Sequence, residues 1–196
     1  RSIPYFGVKE AVFPFNMFQE VEPGIGPEMR STGEVLAFSI YGEAFYKAQE
    51  AAQSKLPLNG TVLISVNRKD KAEVVEIARS FAEDGFKIVA TGTTCDLIRE
   101  AGIEAEKVKK LYEGRPNILD MITNGKIDLI VNSPVGKDSV HDDSYLRKAA
   151  IKDKIPYMTT IAAARATAKG IRYVKEHGNG DVKSLQQLHS EIGFVE

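Results

Sequence analysis

One cysteine in 196 residues excludes an internal disulfide, and with three histidines and no Cys/His cluster the usual metal-ligand spacings are missing too. That usage fits a reducing compartment, so the cytoplasm is the expected location. No apolar run approaches the roughly 18 to 20 residues that cross a bilayer, and the opening RSIPYFGVKE lacks the apolar stretch of a secretory signal. A soluble, unexported protein with no membrane partner is expected. Charge of one sign is also lacking: 26 Lys and Arg against 27 Asp and Glu leave −1, so no global field favours nucleic acid or an anionic lipid surface. At 43% hydrophobic and 27% charged residues, with 16 Gly and 8 Pro, the chain is neither collagen-like, coiled-coil nor disordered, and one compact domain plus an appendage is expected.

What is present is unevenly spread. Tyr5, Phe6, Phe13, Phe15, Phe18, Phe38, Tyr41, Phe45 and Tyr46 all fall within the first 46 positions, a density that needs a core to enter. Pro14, Pro23, Gly24, Gly26 and Pro27 interrupt this segment, and only 42–53 reads as a helix. Residues 1–53 therefore read as the end of a larger domain lying upstream. The alternative is an arm packed on its own domain or on a second copy.

After SKLPLNG, short β-rich runs alternate with helical stretches, the α/β signature. Strands are expected at 61–66, 86–90, 108–111, 127–132 and 156–159. Helices are expected at 71–84, ending on Gly85, and at 93–101, 117–124, 143–154 and 160–176. Right-handed crossovers then imply a five-stranded parallel, Rossmann-like sheet flanked by helices. The amphipathic stretch 181–192 reads as domain edge or as an added tail.

In such sheets the ligand crevice lies beyond the carboxyl ends of the strands. The loop A-T-G-T-T (90–94) delivers Thr91, Thr93 and Thr94, with backbone N–H groups, to a helix N-terminus, which by geometry and dipole suits a phosphate. The alternative has Thr93 merely capping that helix. N-R-K-D-K (67–71) adds Lys71, and K-L-Y-E-G-R-P adds Lys110 and Arg115; each alone reads as a solvated surface charge, but they converge on one expected edge. Asn132 and Ser133 supply neutral donors and acceptors for a base or ribose. Catalytic constellations are poor. His141, Asp142 and Asp143 read as a helix start or a general acid with carboxylate partners. His177 and His189 lie among polar residues. Cys95, at a helix start where its pKa could be lowered, reads as core.

VKEAVFPFNMF, GPEMRSTGEV, GEAFYKAQ, ATGTT, EGRPNILD, NGKIDLIVNSPVGK and DSYLRKAA occur in an order that resembles the C-terminal part of the carbamoyl-phosphate synthetase large subunit. The resemblance implies that residues 1–53 end the carbamoyl-phosphate-synthesising ATP-grasp domain and that 56–192 form an allosteric domain similar to methylglyoxal synthase. It implies ATP, Mg2+ and K+ for the parent enzyme, which makes carbamoyl phosphate from bicarbonate and glutamine for pyrimidine and arginine synthesis. This stretch would hold no cofactor, no metal and no catalytic residue. Its implied partners are the rest of the large subunit, the glutaminase small subunit, a second copy in a homo-oligomer, and a nucleotide monophosphate effector of the UMP or IMP type. Mapped by motif, that effector falls on Lys71, Thr91, Thr94, Lys110 and Asn132.

Two positions depart from the family pattern. Pro134 replaces a Thr, removing a hydroxyl and a backbone donor. Thr159 matches the residue that holds an ornithine-type activator, with Glu10 as its acid from the synthetic domain, but Met158 replaces the usual Asp. The enzyme alternative is methylglyoxal synthase, whose base position holds Arg115, a group that cannot accept a proton. The third reading is an oligomerisation module without a ligand.

Overall fold

The structure is a computed structural model, and it describes residues 3–13, 31–133 and 140–192. Two strands, β1 (Phe6–Val12) and β2 (Gly33–Ser39), pair antiparallel, and helix α1 (Tyr41–Ala51) follows. The main unit then alternates β3 (Thr61–Ser65), α2 (Lys71–Glu83), β4 (Lys87–Thr91), α3 (Gly92–Glu100) and β5 (Glu106–Val108). It continues with α4 (Ile118–Thr123), β6 (Leu129–Asn132), α5 (Val140–Lys152), β7 (Tyr157–Met158), α6 (Ile161–His177) and α7 (Leu185–Ser190). The expected five-stranded parallel sheet forms, in the order β5-β4-β3-β6-β7. No described helix is long and apolar enough to cross a membrane.

Period-2 alternation explains the layers. Val62, Ile64, Ile88, Ala90, Leu129 and Val131 face one side, where Phe81 of α2, Ile98 of α3 and Ile171 of α6 cover them. Leu63, Val89 and Ile130 face the other, under Ile118 and Ile122 of α4 and Leu146 of α5. Side chains such as Phe81 and Leu63 are wholly buried, each contributing about 1.5–3 kcal/mol of apolar transfer energy. Helix α2 stops where expected: Gly85 adopts φ +82, and Phe86 N–H closes back on the Phe81 carbonyl at 3.0 Å.

One expected strand is corrected. Rather than 108–111, β5 covers Glu106–Val108 against Val89–Thr91, and Leu111–Glu113 forms a single 3-10 turn. The apolar Val108 and Leu111 that bracket the lysines suggested a strand there, but pairing ends at Val108.

Helix α1 packs along α6, with Gly42 against the Lys169 carbonyl and Tyr173, and Tyr46 is 3% exposed in the main core. The N-terminal segment is thus docked on the main unit. Its hairpin still leaves Ile3, Phe6, Leu36 and Ile40 more than half exposed. The 181–192 stretch returns to it, since Tyr5 Oη donates to the Leu188 carbonyl at 3.3 Å.

Candidate functional site

The strand order reverses between β3 and β6, the position where crossover loops diverge and leave a crevice at the carboxyl ends. The registers place Thr91 beside Ser65 and Ser65 beside Asn132, each two residues beyond a buried apolar residue on the α4/α5 face. One apolar layer, Val89, Leu63 and Ile130, is therefore capped by one polar row, Thr91, Ser65 and Asn132. Thr91 and Asn132 are 2% and 3% exposed, a burial that polar side chains sustain only with partners. The Thr91 hydroxyl meets Ser65 Oγ at 3.0 Å, and Asn132 Nδ2 donates to Tyr157 Oη at 2.6 Å.

Beyond the row, backbone amides and a cation line the rim. Thr91 is the N-cap of α3 without a side-chain cap bond, and Gly92 follows at φ +41, a conformation that favours glycine. The alternative in which Thr93 caps this helix is not what forms. Thr93 is exposed and accepts a hydrogen bond from Lys71 Nζ at the start of α2. Thr94 is buried at 2%. The start of α2 is shaped by Asn67, whose Oδ1 accepts from the N–H groups of Lys69 and Asp70 at 2.7 and 3.1 Å. Its own N–H and Nδ2 both donate to Ser133 Oγ, at 3.0 and 3.2 Å, a clasp between the loops after β3 and β6. Lys71, Thr91, Thr93, Thr94, Asn132 and Ser133 thus converge on one end of the sheet.

The other two cations are less directly placed. Lys110 follows β5, next to the Thr91 strand, with its ammonium 5.9 Å from the Tyr112 ring centroid. Arg115 is committed: its Nη2 lies 2.6 Å from Asp120, whose carboxyl is held below its ordinary value by the Asn117 backbone N–H and then by Arg115. Glu10 accepts from Gln49 Nε2 at 2.8 Å, and the next residue of α1, Glu50, accepts from Asn179 beyond the C-terminal end of α6. Thr159 precedes the N-terminal end of that helix.

Cys95 is wholly buried in the core, as the sequence reading expects, and burial pushes its thiol up, opposed in part by Arg99. Helix α5 begins at Val140, which puts His141, Asp142 and Asp143 within its first turn; Pro134 lies outside the described residues. No metal-holding group of His, Cys, Asp and Glu exists among the described residues. A broad open cavity of about 1150 Å³ lies at the opposite, amino-terminal end of the strands. Lys87, Arg99 and Lys126 there face Glu104, Glu106 and Asp128, so it offers an anion no net charge.

Comparison with known proteins bears on the family. The MGS-like domain family model matches residues 73–159. The carbamoyl phosphate synthase large chain, C-terminal section, of Methanopyrus kandleri is 50% identical over 93% of this chain and 34% of its own length. The carbamoyl phosphate synthase large chain of Methanothrix thermoacetophila is 43% identical over 98% of this chain and 18% of its own. The corresponding C-terminal section from Aquifex aeolicus is 45% identical over 94% and 35%. Over nearly its whole length the chain is similar to the C-terminal section of carbamoyl phosphate synthase large chains. It spans about a fifth to a third of the length of these relatives.

The sequence pointed to the loops, N-R-K-D-K (67–71) among them, but missed Ser65 and Tyr157. Ser65 sits inside the run TVLISV and reads as buried strand, and Tyr157 reads as part of a short edge strand. The available signal was the apolar-to-polar change at the end of three runs, TVLIS, KIVAT and LIVN, which share one face only once their register is known.

Proposed function

We propose that this chain is the regulatory region of a carbamoyl phosphate synthase large chain and that its strand-end rim binds a nucleoside monophosphate effector of the UMP or IMP type. The polar row Thr91, Ser65 and Asn132, flanked by the Lys71–Thr93 pair at a topological switch point, carries the reading. Phosphate oxygens need N–H and O–H donors and a cation, and this rim supplies each. Asn132 and the Asn67–Ser133 clasp add neutral donors and acceptors that suit ribose or base. The parent enzyme's ATP-grasp chemistry, its glutaminase partner and its service to pyrimidine and arginine synthesis follow from the same assignment. This chain's part is to bind and report, not to convert.

Binding controls synthesis only if the effector prefers one of two arrangements of the region. In the full-length synthase, deletion from Leu56 onward is expected to abolish the response to UMP and IMP while some basal carbamoyl phosphate synthesis survives. An undiminished nucleotide response in that deletion would refute the proposal.

A further inference from the structure

We infer that Tyr157 is a positioning residue of the proposed effector site, acting through the Asn132 carboxamide; the inference rests on the nucleotide-binding reading above. The register pairs Tyr157 with Ile130, so its ring ends the apolar layer Val89, Leu63 and Ile130, on the face that Asn132 caps one step higher. The ring packs partly buried against this cluster, with the Arg147 guanidinium 6.0 Å from its centroid. Packing explains an aromatic ring at that position; it does not explain the hydroxyl. The hydroxyl reaches up from the apolar layer and accepts from Asn132 Nδ2 at 2.6 Å.

A carboxamide turns easily about its last side-chain torsion, and its two ends present opposite hydrogen-bonding characters. The bond to Tyr157 fixes which end of Asn132 points toward the strand it leans on and which toward the rim. Asn132 is 3% exposed, so a wrongly turned amide would leave a polar edge without its partner in a site that water reaches poorly. Tyr157 therefore selects among ligands by holding one orientation of Asn132, without touching the ligand itself.

The test is a double-mutant cycle on this chain, with UMP and IMP as probes in titration calorimetry. Tyr157→Phe keeps the ring and is expected to weaken binding about five- to tenfold, the loss of one hydrogen bond in a buried setting. In an Asn132→Ala background the same change is expected to have less than about a twofold effect, because the group it positions is gone. A packing role would weaken binding equally in both backgrounds and would overturn the inference. So would unchanged binding by Tyr157→Phe, which leaves the nucleotide reading standing; silence of the unmodified chain with both probes sinks both. A second readout needs no ligand: the Asn132 side-chain amide resonances should shift in Tyr157→Phe, and unmoved resonances overturn the inference.

Discussion

The hydroxyls of Ser65 and Thr91 meet at 3.0 Å across β3 and β4, one layer above the buried pair Leu63 and Val89. The contact joins two strands whose loops both open onto the rim, so it serves the sheet and the candidate site together. Thr91→Val keeps the shape and deletes the hydroxyl. It should cost about 1 kcal/mol of stability and weaken UMP or IMP binding about tenfold, measured by chemical denaturation and calorimetry on the same sample. Unchanged affinity with lowered stability would reduce Thr91 to a structural role.

Arg115 and Asp120 separate the binding reading from the enzyme reading. A proton-abstracting mechanism on dihydroxyacetone phosphate needs a carboxylate able to accept a proton. The Asp120 carboxyl is held low by the Asn117 N–H and by Arg115, which makes it a poor base. Incubation with dihydroxyacetone phosphate should yield no methylglyoxal above the protein-free rate, and catalytic turnover would contradict the assignment.

Glu43 ties the N-terminal segment to the end of the chain. Its carboxylate accepts from Lys47 at 2.5 Å and from Ser39, while Lys47 also donates to the Asp181 carbonyl at 2.9 Å. Burial would raise the Glu43 carboxyl, but the Lys47 and Ser39 hydrogen bonds and the Lys47 charge outweigh it, leaving the net value below the ordinary one. A carboxyl lowered on folding contributes stability that is present above its unfolded pKa and is lost as pH falls through its folded pKa. Glu43→Gln should therefore melt below the parent at pH 7, and the gap should close as the pH drops below about 4. A gap that stays constant down to pH 3 would show that the charge contributes nothing.

Helices α1 and α6 approach closely through two glycines. A Cβ on Gly170 would lie 3.2 Å from the Gly42 carbonyl, and one on Gly42 would lie 3.1 Å from the Lys169 carbonyl. Both neighbours are backbone and cannot rotate aside. Gly170→Val should cost about 1–3 kcal/mol by overpacking and lower the melting midpoint by about 5 °C, while UMP and IMP affinity stays within twofold. A stabilised variant would mean that the helices separate without cost.

Much of the architecture could be read from periodicity, because Val74, Ile77, Ala78 and Phe81 mark one helical stripe and Gly85 ends it as a left-handed residue must. The loops Thr91–Thr94, Lys71 and Asn132–Ser133 were legible as strand ends. The polar row was not, because Ser65 acquires its meaning only from strands 26 and 67 residues away in sequence, a register that no local pattern encodes. Arg115 shows the converse limit: the strand pattern marks it as a candidate for the rim, but its engagement by Asp120 depends on the Asn117-capped turn that brings the two together. Thr159 and Glu10 come from the resemblance alone.

The central claim is most directly tested by titration calorimetry of this chain with UMP and with IMP, beside Lys71→Ala. Saturable heat with at least one nucleotide, weakened tenfold or more in Lys71→Ala at an unchanged melting midpoint, is the predicted result. No heat with either nucleotide, or equal affinity in the variant, would contradict it.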